Sequence, residues 1–262
     1  MKHQIKKLTE RITLLYGIHA ECCIYLVEGD KRALLIDTGL GAVDMQSEIA
    51  ELTSLPYDVV NTHGHGDHTG GNIYYPAVYM HEGAREDARG FLALNKTVLS
   101  EEEVAIIEAQ LAKGSYEIHC VSDGFTFDLG DRHLEVLSIP GHSPGCIALL
   151  DHEDRVLFSG DCFVKSMPIQ MVVPGALTIR EYLDSLHKLQ SREDEFDWLC
   201  TGHDEQLEPK TFLDEVTAAC EKLVTGELSG EDIELPPVYG DTRAKLIKEK
   251  DFTIAYRPWR VC

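Results

Sequence analysis

Long apolar runs, paired cysteines and basic residues are what this chain lacks, and each absence closes a class of explanation. No stretch approaches about 18 consecutive apolar residues, which excludes a membrane-spanning helix. Lysines near the N-terminus suggest a secretory leader, but the apolar stretch from Ile12 to Ile18 is short, broken by Thr13, and followed by no small-residue cleavage site. The expected location is therefore cytoplasmic. The 8 cysteines are scattered, with Cys22 and Cys23 adjacent and no Cys-x-x-Cys, so reduced and mostly buried thiols are expected. Lys and Arg number 24 against 45 Asp and Glu, a formal net charge of −21. Such a surface repels polyanions, so the expected partner is a small molecule, not nucleic acid or a membrane. Internal repeats, low-complexity tracts and linkers are also missing, and 262 residues that are 44% hydrophobic suit a single domain.

What is present is concentrated in residues 62 to 72, Thr-His-Gly-His-Gly-Asp-His-Thr-Gly-Gly-Asn. His63, His65, Asp67 and His68 crowd four potential metal ligands into one turn, three of them imidazoles. The preceding Asp58-Val59-Val60-Asn61 ends a short buried strand, and glycines at 64, 66, 70 and 71 argue against a stable helix. On such a loop His63 and His65, at i and i+2, can converge on one ion while Asp67 and His68 face another. The helical His-Glu-x-x-His arrangement of zinc proteases has a different spacing.

More ligand types follow at strand ends. A strand from Leu134 to Ile139 runs into Pro140-Gly141-His142-Ser143-Pro144-Gly145, one from Arg155 to Gly160 ends on Asp161, and one from Asp197 to Gly202 ends on His203. His-x-His-x-Asp-His, Gly-His-Ser-x-Gly, Ser-Gly-Asp and Gly-His, in this order over residues 20 to 205, resemble the metallo-β-lactamase-fold hydrolase superfamily. The resemblance implies a four-layer αββα sandwich, two mixed sheets flanked by helices, with metals at one edge. It implies that His63, His65 and His142 hold one divalent ion, that Asp67, His68 and His203 hold a second, and that Asp161 bridges them. Zinc is the expected metal, with iron or manganese as alternatives. Asp37, ending the strand Ala33 to Ile36, is expected beneath the site, accepting a hydrogen bond from the ligand loop.

A bridging aspartate at 161, where some true β-lactamases of the superfamily carry Cys or Ser, points to the glyoxalase II and lactonase-like branch and away from antibiotic hydrolysis. The expected activity is hydrolysis of a small ester, thioester, lactone or phosphodiester by a metal-bridging hydroxide, with Asp67 and Asp161 as the catalytic carboxylates. Lys165 and Tyr182 are candidates for binding a substrate oxygen, and His81 is a candidate pocket residue. The alternative is an oxidoreductase resembling mononuclear iron persulfide dioxygenases, in which His63, His142 and Asp161 hold iron. Retention of His65, Asp67, His68 and His203 favours the two-ion reading over it. Diiron oxygen reductases of the same fold generally have Glu at the position of His65 and an attached flavin domain, and neither feature is here. A non-catalytic domain would not be expected to keep every ligand.

Strands are expected near 11–16, 22–28, 32–37, 57–61, 77–80, 117–121, 132–139, 146–151, 155–160 and 197–201, with helices over 42–53 and 178–190. Residues 83–113 read as a charged helical insertion, with Ser100 capping a helix that begins Glu101-Glu102-Glu103. In the resemblance this insertion hangs over the site as a lid. In the tail, residues 208–262, a helix is expected over 208–226, a loop from Gly230 to Gly240, and a last strand from Phe252 to Tyr256. Thioester hydrolases of the glutathione pathway bind substrate with a basic, aromatic helical C-terminal region, a pattern that is weak in this tail.

Overall fold

The computed structural model describes residues 2–19, 22–90, 96 and 98–262. Its first half contains β1 (Gln4–Lys7), β2 (Ile12–Tyr16), β3 (Ile24–Glu28), β4 (Ala33–Ile36), α1 (Gln46–Leu52), β5 (Tyr57–Val60), α2 (Gly66–Thr69), β6 (Ala77–His81), α3 (Arg85–Gly90), α4 (Glu101–Leu111) and β7 (Glu117–Val121). The second half contains β8 (Thr126–Asp128), β9 (His133–Ser138), β10 (Ile147–Asp151), β11 (Val156–Gly160), β12 (Ile169–Met171), α5 (Ile179–Gln190), β13 (Trp198–Thr201), β14 (Glu208–Pro209) and α6 (Thr211–Thr225). The tail adds β15 (Glu231–Glu234), β16 (Arg243–Lys248) and β17 (Thr253–Tyr256).

Strands β1 to β7 form one sheet in sequence order, antiparallel as far as β4 and parallel from there. The second sheet runs β14-β13-β11-β10-β9-β8, with β11 and β13 parallel. Alternation of side chains decides what lies on each face. Leu14, Tyr25, Val27, Leu34 and Ile36 point from the first sheet against Leu134, Val136, Leu149 and Phe158 of the second, making the core between the sheets. Their neighbours Leu15, Ile24, Leu26 and Leu35 face the other way, toward Met45 and Ile49 of the α1 region and Ala88 of α3. On the far side of the second sheet, Leu137, Ala148, Leu150 and Leu157 meet α5 and α6. The four-layer αββα sandwich follows.

Helix α5 shows how local sequence serves this packing. Thr178 accepts from the Glu181 amide, and the Glu181 carboxylate reaches back to Thr178, closing a capping box. Ile179, Tyr182, Leu183, Leu186 and Leu189 then recur at helical spacing and are all buried, each aliphatic side chain contributing roughly 1.5–3 kcal/mol by leaving water.

The expected strands and the helices in the α1, α5 and α6 regions are present with boundaries within a few residues. Two expectations need correction. The tail does not leave Gly230 to Gly240 as a loop, because β15 lies within it. With β16 and β17 it joins β12 in a third sheet of order β12-β17-β16-β15. Polar strands such as Glu-Asp-Ile-Glu in β15, mostly exposed, carry no alternation to read. The Arg257 guanidinium instead ties this sheet to the body, donating to the carbonyls of Val172, Tyr239, Arg243 and Asp241. The glycine-rich ligand loop also contains one helical turn, α2, and within the expected insertion the described residues include helices α3 and α4, with residues 91–95 and 97 outside those described. No helix among the described residues is long and apolar enough to cross a membrane.

Candidate metal centre

Parallel pairing places the ligands. Strands β4 and β5 end side by side, Ile36 opposite Val60, so Asp37 emerges next to Thr62 and His63. Strands β11 and β13 do the same on the other sheet, and the Gly202 amide donates to the Gly160 carbonyl at 2.8 Å, setting Asp161 beside His203. The Ile147 amide donates to the Thr62 carbonyl at 2.8 Å, which stitches the two sheets together at this edge and brings in the His142 loop. The ligand glycines are there for closeness more than for flexibility. A Cβ at Gly70 would lie 2.1 Å from the Leu40 carbonyl oxygen, and one at Gly71 would lie 2.2 Å from that of Thr38.

Two donor sets result. His63, His65 and His142 converge, with His65 Nδ1 3.0 Å from His63 Nε2 and 2.8 Å from His142 Nε2. Asp67, His68, Asp161 and His203 form the second set. His68 Nε2 lies 3.2 Å from Asp161 Oδ1 and 3.7 Å from Asp67 Oδ2, and His203 Nε2 lies 3.4 Å from each carboxylate. The other Asp161 oxygen, Oδ2, is 3.5 Å from His142 Nε2, so this one carboxylate touches both sets.

Hydrogen bonds behind the donors set their tautomers. His68 Nδ1–H donates to Asp37 Oδ2 at 2.8 Å, and His142 Nδ1–H donates to the Gln170 carbonyl at 2.9 Å. Asp37 also accepts from the Thr62 amide and hydroxyl, both at 2.8 Å, which leaves that hydroxyl oxygen to accept from His63 Nδ1–H at 3.2 Å. With the rings neutral, as a metal requires, each Nε2 would be bare and aimed inward.

These residues fit a divalent ion in both sets. Donors about 2.1 Å from a tetrahedral ion lie roughly 3.4 Å from one another, close to the spacings of the second set. His68 Nε2 and Asp161 Oδ1 are buried with no hydrogen-bond partner, a costly condition that a cation relieves. In the first set His65 Nδ1 can donate a proton to only one of the two imidazoles facing it, leaving the other opposed lone pair to lone pair.

Electrostatics separate the two sets. Burial, aided by neighbouring imidazoles, drives His63 well below its ordinary range and takes His142 down to about 4, so both are neutral and able to ligate. Burial would also lower His203, but Asp161 and Asp67 raise it to about 10. Burial would raise Asp67, yet His68 and His203 hold it down to about 2.

A cavity of about 490 Å³ opens onto His65, Asp67, His142, Asp161 and His203, while His63 and His68 stand buried behind them. Three expected site residues are turned away from it. Tyr182 is fully buried and its hydroxyl donates to the Cys162 carbonyl, because the apolar face of α5 packs its ring into the core. The Lys165 ammonium pairs with Glu208 at 2.7 Å and rests over the Phe212 ring. His81 caps the turn after β6, accepting from the Gly83 amide. Conversely His19, Gln170 and Tyr239 line the cavity and were not singled out by sequence, since none sits in a motif. Asn61 and Asn72 were missed as well. With Thr38 they form a buried network, and the Asn61 amide and Thr38 hydroxyl both donate to the His68 carbonyl.

Two tests arise from these contacts. Asp37 has φ of 64°, a left-handed conformation that asparagine also tolerates, so Asp37→Asn keeps the backbone and confronts three donors with an amide. We expect a roughly 10–100-fold loss of zinc affinity, read by competition with a chromogenic chelator. The second concerns α4, whose Glu103 pairs with His19 at the cavity wall at 2.7 Å. The hydrogen bond from His19 holds the Glu103 carboxyl down to about 2, from an ordinary 4.5. A depressed folded value means the stabilisation is complete above the unfolded value and lost as pH falls from 4.5 toward 2. Amide exchange in α4 should therefore accelerate over that window, and Glu103→Gln should exchange fast throughout.

Human acyl-coenzyme A thioesterase MBLAC2 is 33% identical over 158 residues, covering 53% of this chain and 57% of that protein. Hydroxyacylglutathione hydrolase GloC of Haemophilus influenzae is 28% identical over 152 residues, covering 53% of this chain and 65% of that one. This chain thus spans between about half and two-thirds of the length of these curated relatives. Among solved structures, a metallo-beta-lactamase from Pontibacter korlensis superposes with a TM-score of 0.56 at 19% identity, over 83% of this chain and 98% of that one, and so shares the fold. The profile of the metallo-beta-lactamase superfamily matches residues 21–203, the span that holds all seven donors, and the chain belongs to that superfamily.

Proposed function

We propose that this chain is a metal-dependent hydrolase that cleaves an acyl ester or thioester with two divalent ions, zinc being the favoured metal. The observation that carries the reading is the sharing of Asp161, whose two oxygens address two separate donor sets. His63, His65 and His142 would hold one ion and Asp67, His68 and His203 the other, with Asp161 spanning both. Imidazoles and carboxylates suit zinc, and manganese or iron would accept the same donors. Ions bound there supply an acidified water near neutral pH and polarise a carbonyl oxygen.

The residues of the chain do the positioning. Asp37, Thr62 and the Gln170 carbonyl hold the imidazoles in register, so no side chain reorganises during reaction. Asp67 lines the cavity with its side chain 29% exposed and stays ionised at working pH, which suits it to orient the attacking water and accept its proton. Acyl chemistry is favoured over phosphoryl because the relatives named above are by name an acyl-coenzyme A thioesterase and a hydroxyacylglutathione hydrolase, and because Glu205 at the cavity opposes an anionic group at the reacting centre itself.

The test is metal analysis paired with turnover. After chelation, zinc should restore about two ions per chain together with thioester and ester hydrolysis. One iron per chain with oxygen consumption in the presence of a persulfide would overturn the reading in favour of the single-iron oxidoreductase.

A further inference from the structure

Much of the cavity wall beyond the ligands is apolar. Leu40, Val98, Met167, Val173, Pro174 and Val238 line it. Val98 and Val238 are each 48% exposed, two of the few large hydrophobic residues left in water among the described residues. They come from different places, Val98 from the insertion before α4 and Val238 from the tail between β15 and β16. Two separate segments thus bring an exposed valine to one cavity that also reaches the donor sets. Its volume of about 490 Å³ falls in the range that holds a medium-sized organic group.

No Lys or Arg lines the cavity among the described residues. The nearby cations are committed elsewhere: Lys165 to Glu208, Arg243 to Asp241 and the face of Trp259, and Arg257 to backbone carbonyls. Glu205 adds a negative charge to the lining.

We infer that this site recognises its substrate by an apolar acyl chain and not by the carrier to which the chain is attached, taking neutral and anionic thioesters of one acyl group alike. The inference rests on the hydrolase reading above and narrows its substrate class. In the reaction, water adds to the carbonyl carbon and the carbon–sulfur bond breaks with its electron pair leaving on sulfur. The thiol carries away one proton, and the carboxylic acid releases another to solvent. The acyl chain lies along the apolar wall, where each methylene leaves water, and the carrier stays outside without a charged partner.

The experiment uses the zinc-supplemented protein with acetyl, hexanoyl and decanoyl thioesters, each on N-acetylcysteamine, which is neutral, and on coenzyme A, which carries phosphates. The value of kcat/KM should rise about three- to fourfold per methylene until the cavity is filled. At each chain length the two carriers should agree within about fivefold, the most that exposed ion pairs are worth. The non-hydrolysable decyl thioether of N-acetylcysteamine should bind by calorimetry. Val238→Asp should weaken that binding roughly tenfold, while Ile5→Asp, an equally exposed position on β1 outside the cavity, should not change it.

A flat chain-length profile, a coenzyme A preference well beyond that limit, or a thioether that does not bind would overturn the inference while leaving thioester hydrolysis intact. Turnover of bis(p-nitrophenyl) phosphate with no thioester or ester cleavage would overturn the acyl reading itself, and the inference with it.

Discussion

Asp161→Ala should abolish metal binding and hydrolysis together while the protein still folds. The carboxylate reaches both donor sets, 3.5 Å from His142 on one side and 3.2 Å from His68 on the other. On the proposed two-ion reading each ion would lose a ligand without it and their mutual repulsion would no longer be screened, so kcat should drop about a thousandfold or more, the several kcal/mol that metal catalysis supplies. The fold should survive because Asp161 belongs to none of the apolar clusters, which lie between the sheets and beneath the helices. Metal analysis, kcat and a thermal unfolding curve check the three parts separately. Wild-type turnover in this variant would remove Asp161 from the bridging role.

Gly202→Ala should do nearly as much damage without touching a ligand. A Cβ at residue 202 would stand 1.9 Å from Asp161 Oδ1 and 3.1 Å from the Gly160 carbonyl carbon. Backbone at both strand ends is locked by pairing of β11 with β13, so the carboxylate is the group that must move. Gly202 is not in a left-handed conformation, so alanine is tolerated by its own backbone and the effect falls on the site. We expect at least a 100-fold loss of metal affinity and activity, since small displacements of catalytic groups cost about that much, with cooperative unfolding retained. Gly90→Ala, where an added Cβ would meet nothing within 4 Å, is the matched control and should leave both unchanged. If Gly202→Ala binds zinc normally, the position of Asp161 is less constrained than the packing implies.

The contrast between these two residues shows what could be read in advance. Asp161, His142 and His203 were legible because each stands at the end of an apolar run, and a ligand type at a strand end is a local pattern. Asp37 was legible for the same reason. Gly202 was not, because its role is an absence of side chain facing a residue 41 positions away. Lys165 and Tyr182 were misjudged since their chemistry suits a substrate contact, whereas α5 spends Tyr182 on the core and Glu208 captures Lys165. Gln170 and Tyr239 were invisible, because the three-residue strand β12 and the turn after β15 carry no motif or period to detect. The helix of the insertion was legible from Ser100 as its N-cap before Glu101-Glu102-Glu103, a purely local signal, and the structure adds the reciprocal bond from Glu103.

The layered fold, the seven candidate ligands and the aspartate expected beneath them were legible in the sequence, because hydrophobic alternation, helix caps and clustered ligand types are short-range patterns that survive without coordinates, and the motifs they form carry the family resemblance. Only the tertiary structure decided which side chains face the cavity, and that among the described residues much of its wall is apolar and no Lys or Arg lines it. Those properties depend on strand pairing between distant segments and on the docking of the C-terminal sheet, and distances of a few ångströms across a fold are not encoded in the spacing along a chain.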